Sequence, residues 1–333
     1  MSWLHDALRR LPGPDSDAAG SVRARADDIL RPRGALARLD DVAVHMAAWQ
    51  RTAAPRVARP AALVFAGDHG VAEQGGVSAY PTEVTAAMLA ACRQGKATIC
   101  ALARSVGATL DTVDVGVGRP TADIRYEAAM TAERFDAVVA EAVAAVDALD
   151  TDLLVLGEIG IGNTTAAAAL AGALLGGDAS TWVGRGTGID DDGLDRKRAA
   201  VAAVMERSSG LSDPIEIMRH AGGAELTAMA AATVAARLRS IAVVLDGYVV
   251  TSAVLPLHVA APGALDHCIV GHCSSEPGHR RVLERIGKPV LLDLGMRLGE
   301  GSGAMVAVPI VRAACDAVVE VATFTEWFGR RPG

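Results

Sequence analysis

The sequence predicts an α/β fold: a doubly wound, mainly parallel sheet of about six strands, with a smaller helical unit beside it. Two observations carry this. Six short apolar runs, each ending in glycine or a polar residue, are spread along the 333 residues. Strands buried on both faces read as continuous rather than alternating hydrophobic runs. Ala-rich helical stretches lie between most of these runs, and strand–helix alternation implies right-handed crossovers and parallel pairing. The expected architecture is a Rossmann-like three-layer α/β/α sandwich.

In chain order the strands are "ALVFAGD", "TLDTVDVG", "LLVLGE", "IAVVLDG", "CIVGHCSS" and "VLLDLG". The helical stretches between them are "EVTAAMLAACRQGKATICALARSVG", "RFDAVVAEAVAAVDALD", "TTAAAALAGALLG", "AELTAMAAATVAARLR" and "PGHRRVLERIG". The first sixty residues read as helix and loop without a strand, and the tail after about residue 306 is apolar and then basic. Residues 61–305 are therefore expected to form the large α/β domain. Residues 1–60 and 306–333 are expected to form the small helical one.

Composition narrows the function. Aromatic residues are 3% and the net charge is −7, whereas nucleic-acid surfaces use a basic stripe or stacking rings. The opening "MSWLHDALRRLPGPDSD" lacks the basic-then-apolar order of a signal peptide. No uncharged apolar run approaches the roughly 20 residues of a membrane span. The five cysteines have no CxxC spacing, the pattern of reduced, buried thiols in a cytoplasmic protein. His267, Cys268, His272 and Cys273 resemble a metal set at a glance, but alternate strand positions point to opposite faces. No metal is expected.

Ligands of open parallel sheets bind outside the carboxyl ends of the strands. Those ends carry Asp68, His69, Glu158, Asp246, Ser274, Ser275 and, a few residues on, Glu300, with almost no lysine. "LLVLGEIGIGNTT" is a strand, a three-glycine loop and a helix start, which Asn163 or Thr164 can cap. The free amides there suit an anion, although a plain capped turn is the alternative. The motif is neither a Walker loop nor a dinucleotide fingerprint. "GRGTGIDDDG" adds a second loop in which Arg185 and the amides of Gly186 and Gly188 suit a phosphate monoester. Asp190, Asp191 and Asp192 read as a helix-initiating acidic turn.

Asp68 and His69 could pair as acid and base, against a loop-stabilising role for Asp68. Ser78, Tyr80 and Pro81 in "GVSAYP" could wall a flat ligand. Pro277 is placed to begin a helix. Glu300 stands between two glycines in "RLGEGSGAM". Met296, Leu298 and Ala304 around it would partly desolvate the carboxylate and raise its pKa toward that of a general base. The alternative is a surface glutamate in a turn. The flanking glycines would leave room for a flat heterocycle.

Taken together, "AGDHGVAEQGGVSAYPTEVTAAM", "GEIGIGNTTAAAA", "GRGTGIDDDGL", "GGAELTAMA", "LDGYVVTSA", "EPGHRRVLERIG" and "LDLGMRLGEGSGA" closely resemble the nicotinate-nucleotide:dimethylbenzimidazole phosphoribosyltransferase family, in family order. "RPRGALARLD" is similar to a looser version of that family's N-terminal K-P-x-G-S-L-G-x-L-E segment. The resemblance implies a pentosyltransferase that moves phosphoribosyl from nicotinate mononucleotide to 5,6-dimethylbenzimidazole. Inversion at the anomeric carbon gives α-ribazole 5′-phosphate and nicotinate, in synthesis of the cobalamin lower ligand. It implies Glu300 as the base and a functional Glu158. Gly160, Gly162, Asn163, Thr164, Gly186 and Ser274 would bind the nucleotide, with Arg185 at its phosphate. Ser78, Tyr80, Met296 and Leu298 would line the base pocket. It further implies a cytoplasmic homodimer needing neither metal nor cofactor. The alternatives are the same chemistry with another acceptor (a different benzimidazole, a purine or a phenolic) and a non-catalytic nucleotide-binding homologue.

Overall fold

The computed structural model describes residues 2–331, the side chains of residues 74 and 75 excepted. The chain opens with α1 (Trp3–Leu8), α2 (Ser16–Asp28) and α3 (Arg38–Gln50), then enters β1 (Pro60–Gly67). After α4 (Gly70–Gly75), α5 (Val84–Arg93) and α6 (Thr98–Val106) comes β2 (Thr109–Gly116). Helix α7 (Ala132–Asp147) leads to β3 (Leu153–Ile159). Helices α8 (Asn163–Leu175), α9 (Asp191–Ser208), α10 (Pro214–Ala221) and α11 (Ala224–Leu238) precede β4 (Ala242–Leu245). The rest is α12 (Tyr248–Ala260), β5 (Cys268–His272), α13 (Pro277–Ile286), β6 (Val290–Leu292), α14 (Ser302–Val319) and α15 (Phe324–Phe328).

All six expected strands form, and every pair is parallel, in the order β2-β1-β3-β4-β5-β6. The connections run one way from β1 to β2 and the other way from β3 onward, so a topological switch point opens at the carboxyl ends of β1 and β3. Side chains alternate across the sheet. Leu63, Phe65, Leu154, Leu156, Val243, Leu245 and Val270 join the core beneath α7, α8 and α10 to α13. Ala62, Val64, Leu153, Val155, Ala242 and Val244 join the opposite core beneath α3, α5, α6 and α14.

Two elements depart from the sequence reading. The run "TLDTVDVG" reads as a strand buried on both faces, but only Val115 and Gly116 of β2 are buried. As the edge strand it has a neighbour on one side only, and its four polar positions Thr109, Asp111, Thr112 and Asp114 face partly outward. The stretch from Glu83 to Gly107 is two helices rather than one. The chain turns at Gly95, whose φ of +71° suits glycine alone at little strain, and restarts as α6.

Helix α14 is long and apolar enough to cross a membrane by length and mean hydropathy, 1.6 over 18 residues. It nevertheless carries Arg312 and Asp316, and packs Met305, Val308, Val311 and Cys315 into the core on the sheet. Its far end meets the N-terminal helices: Val318 is buried with Val22, Ala26, Ile29, Ala43 and Ala47, and Ile29 bridges Thr323.

Candidate active site

At the switch point the strand ends and following loops enclose a cavity of about 370 Å³, within the usual size of small-ligand sites. Its floor holds two carboxyl groups. Glu158, the penultimate residue of β3, and Glu300, just before α14, are each only 6% exposed. Burial pushes the Glu158 carboxyl well above the usual carboxylate range, helped by the negative charges of Glu225, Asp246 and Glu300. Burial also raises the Glu300 pKa, opposed by a hydrogen bond from the backbone N–H of Ile99 to Oε2 at 3.3 Å. That amide belongs to the first turn of α6, which has no side-chain cap and favours an anion.

Glu300 has a φ of +62°, a left-handed backbone seldom taken by residues other than glycine. Its neighbourhood fixes it there. A Cβ added to Gly157 of β3 would lie 2.3 Å from the Glu300 carbonyl oxygen, so that strand must be bare where the loop crosses it. A Cβ on Gly299 would meet Glu158 Oε1 at 2.5 Å. The glycines around Glu300 therefore serve close backbone packing against β3 and Glu158, in addition to lining the cavity. Strain confined to such a residue is a mark of functional sites.

Another wall of the cavity is the start of α8. Neither Asn163 nor Thr164 caps this helix: Gly162 occupies the cap position with no side-chain bond to the helix. Asn163 Nδ2 instead donates to Glu158 Oε2. Thr164 Oγ1 accepts a 2.8 Å hydrogen bond from Lys197 Nζ, which also donates to the Gly184 carbonyl at 3.2 Å. Lys197 is buried, and desolvation lowers its pKa to about 8. The uncapped start of α8 thus lines the cavity with the buried ammonium of Lys197 behind Thr164, and Glu158, Asp246, Glu276 and Glu300 supply its carboxyl groups.

The cavity gathers Ser78, Tyr80, Glu158, Gly160, Gly162, Asn163, Thr164, Gly186, Ser274, Leu298 and Glu300 from the sequence-predicted set. Arg185 and Met296 do not line it. The acidic turn draws Arg185 away, with Nη2 on Asp191 at 2.5 Å and Nη1 on the Ile189 carbonyl at 2.8 Å. Met296 offers its carbonyl to the Ser275 N–H at 3.1 Å, while the next two residues, Arg297 and Leu298, reach the cavity. Asp190 caps α9 through Gly193 at 2.8 Å, the helix-initiating role read from the sequence. Asp68 accepts from the Gly118 N–H at 2.7 Å, the loop-stabilising alternative. His69 lies fully buried, its Nε2 2.5 Å from Glu225 Oε1, behind Gly160.

The sequence model of the DBI_PRT phosphoribosyltransferase family matches residues 11–327. The chain belongs to this phosphoribosyltransferase family. The nicotinate-nucleotide–dimethylbenzimidazole phosphoribosyltransferase of Cereibacter sphaeroides (strain KD131 / KCTC 12085) is 47% identical over 327 residues, spanning 98% of this chain and 96% of its own. The enzyme of the same name from Methylocella silvestris is 48% identical over 327 residues, 98% of this chain and 95% of its own. The crystal structure of CobT from Thermus thermophilus superposes with a TM-score of 0.90 at 40% identity, covering 95% of this chain and all of that one.

Several residues of this phosphoribosyltransferase's cavity escaped the sequence reading. Val84, Thr85 and Met88 come from the inner face of α5, and Thr85 Oγ1 accepts from the Ile161 N–H at 3.1 Å. His272 and Glu276 come from the end of β5 and the turn after it, beside Asp246 at the end of β4, a strand-end position already expected from the sequence. Lys197 had a readable signal. It sits on the stripe Gly193, Lys197, Ala200, Val201, Val204 that α9 buries, where a solvated lysine is out of place.

Proposed function

We propose that the protein transfers the phosphoribosyl group of nicotinate mononucleotide to 5,6-dimethylbenzimidazole, releasing nicotinate and forming α-ribazole 5′-phosphate for the cobalamin lower ligand. The observation that carries this reading is the polarity of the cavity lining: the Glu158 and Glu300 carboxyls line it, and so does the open start of α8, with the Lys197 ammonium behind Thr164. A nucleotide fits that polarity in one direction, with its phosphate toward Lys197, Thr164 and Gly162 and its anomeric carbon toward the acids.

The chemistry follows from the leaving group. The pyridinium of nicotinate mononucleotide departs with the electron pair of the C–N bond as a neutral ring, so it needs no acid. The imidazole nitrogen of the acceptor attacks the anomeric carbon from the opposite face, which inverts β to α. The N–H on the acceptor's other nitrogen passes its proton to Glu300, whose buried, raised-pKa carboxylate suits a general base. Glu158, oriented by Asn163, meets the positive charge that develops on the ribosyl centre. Ser78, Tyr80, Met88 and Leu298 form the less polar rim against which a flat base can lie.

The reading includes a cytoplasmic location, supported by five buried, free cysteines, and a homodimer, carried over from the family resemblance. It also includes a small helical unit of residues 1–60 and 306–333, supported by the shared packing of Val22, Ile29 and Val318. The test is one incubation with both substrates, followed by mass detection. Stoichiometric α-ribazole 5′-phosphate and nicotinate are expected. Absence of both products would sink the proposal.

A further inference from the structure

The amide of Gly186, which the sequence assigns to the substrate phosphate, is already taken: it donates to Glu276 Oε1 at 3.2 Å. The other carboxylate oxygen, Oε2, is buried without a hydrogen-bond partner. It is pressed so closely on the loop that a Cβ at Gly184 would sit 2.0 Å from it. The same loop wraps Lys197, whose Nζ bonds Gly184 O and would lie 3.2 Å from a Cβ at Gly186. The charge of Glu276 is felt at Lys197 and helps keep it protonated. On the outer side, Arg297 Nη1 donates to the Gly186 carbonyl at 3.0 Å. Glu276 thus makes the contacts that a bound anion would make, on the loop that Lys197 and Arg297 also hold. A buried ammonium without any anion nearby is costly.

From this geometry we infer that Glu276 is a resident anion that holds the empty phosphate cradle together and is displaced when the substrate phosphate arrives. The inference rests on the nucleotide orientation proposed above. When phosphate enters, the Gly186 N–H passes from Glu276 Oε1 to a phosphate oxygen, and Lys197 exchanges one anionic neighbour for another. A carboxylate left in place would oppose the incoming charge, and like charges juxtaposed at a binding site weaken association substantially. Glu276 therefore tunes phosphate affinity downward while keeping Lys197 and the loop in order.

Glu276→Gln keeps an acceptor for Gly186 and removes only the charge, and Glu276→Ala removes both. Inorganic phosphate is the probe, its affinity read by calorimetry and by competition against nicotinate mononucleotide. Both variants are expected to bind phosphate about tenfold more tightly than the unaltered enzyme. Without phosphate they should melt at lower temperature, and phosphate should raise their melting temperature more. Unchanged or weaker phosphate binding in Glu276→Gln, with a normally melting protein, overturns the inference and makes Glu276 a direct ligand or a bystander. Turnover of the unaltered enzyme is measured alongside. If it forms no α-ribazole 5′-phosphate, the functional reading fails, while the calorimetric comparison still decides the role of Glu276.

Discussion

Asp246 Oδ1, at the end of β4, accepts a 2.8 Å hydrogen bond from the backbone N–H of Ala304 in the first turn of α14. The same oxygen lies 3.3 Å from His272 Nε2, and the His272 ring fills the space that a Cβ on Gly303 would need. Asp246 and His272 thereby clamp the helix that begins directly after Glu300. Asp246→Ala leaves the Ala304 amide buried and unpaired, which should destabilise the protein by about 1–3 kcal/mol. It should also lower turnover, because the loop carrying Glu300 loses its anchor. Asp246→Asn, which keeps an acceptor oxygen, should recover most of the stability. Urea midpoints and kcat for the two variants check this, and equal loss in both would refute the clamp.

Gly157→Ala tests the packing of Glu300 on β3. The new methyl would fall 2.3 Å from Glu300 O, 2.5 Å from its carbonyl carbon and 2.7 Å from Gly301 N, all backbone atoms with no rotamer to change. Overpacking of this kind costs about 1–3 kcal/mol. The displaced Glu300 should lose activity beyond what stability explains. Gly210→Ala, with no atom within 4 Å of its added Cβ, is the control and should leave both nearly unchanged. A fully active Gly157→Ala enzyme contradicts the claim that this contact sets the position of Glu300.

Which parts of this site could be read in the sequence follows from the range of the interactions. The strand ends were legible because burial on both faces writes continuous apolar runs, and the residues after them fall at the switch point by topology alone. Glu158, Asn163 and Glu300 stand in or beside such ends. The apparent caps Asn163 and Thr164 misled because their side chains are used by Glu158 and Lys197, the latter 33 residues further along the chain. Pairs such as His69 with Glu225, 156 residues apart, or Gly186 with Glu276, 90 apart, have no local signature. Arg185 looked like a phosphate ligand because arginine in a glycine loop usually is one, but Asp191 competes for it six residues on. Lys197 could have been found, since only its charge breaks the buried stripe of α9.

The buried Glu158 gives a stability prediction with a definite sign. Its folded pKa lies well above the ordinary value, so the folded state favours the protonated form. The stabilising contribution is complete below the unfolded pKa and is lost as pH rises through the folded pKa, where the buried group must ionise. Glu158→Gln mimics the protonated form at every pH. The variant should therefore match the parent near pH 4 and melt at higher temperature than the parent at pH 8, with little turnover at either pH. Thermal unfolding across that range decides it, and a variant less stable at pH 8 than the parent would show that the charged form is the better accommodated one.

The pH dependence of catalysis joins Glu300 to Lys197. Glu300 must be deprotonated to accept a proton, and its pKa is raised by burial, so kcat/KM should climb with pH through a value above that of an ordinary glutamate. Lys197 must be protonated to attract the phosphate, and its pKa is about 8, so kcat/KM should fall again above roughly that pH as KM for the nucleotide rises. The profile is then a bell whose two limbs belong to different residues. Glu300→Gln should lower kcat by about 10²–10⁴-fold and remove the acid limb, leaving the alkaline one. Lys197→Met should do the reverse: a raised KM for nicotinate mononucleotide, no alkaline limb, and an acid limb intact. Phosphate release from the cradle is unaffected by Glu300, so inorganic phosphate should bind Glu300→Gln as it binds the parent. An acid limb that survives Glu300→Gln assigns the base to another group, with Glu158 the next carboxylate to replace.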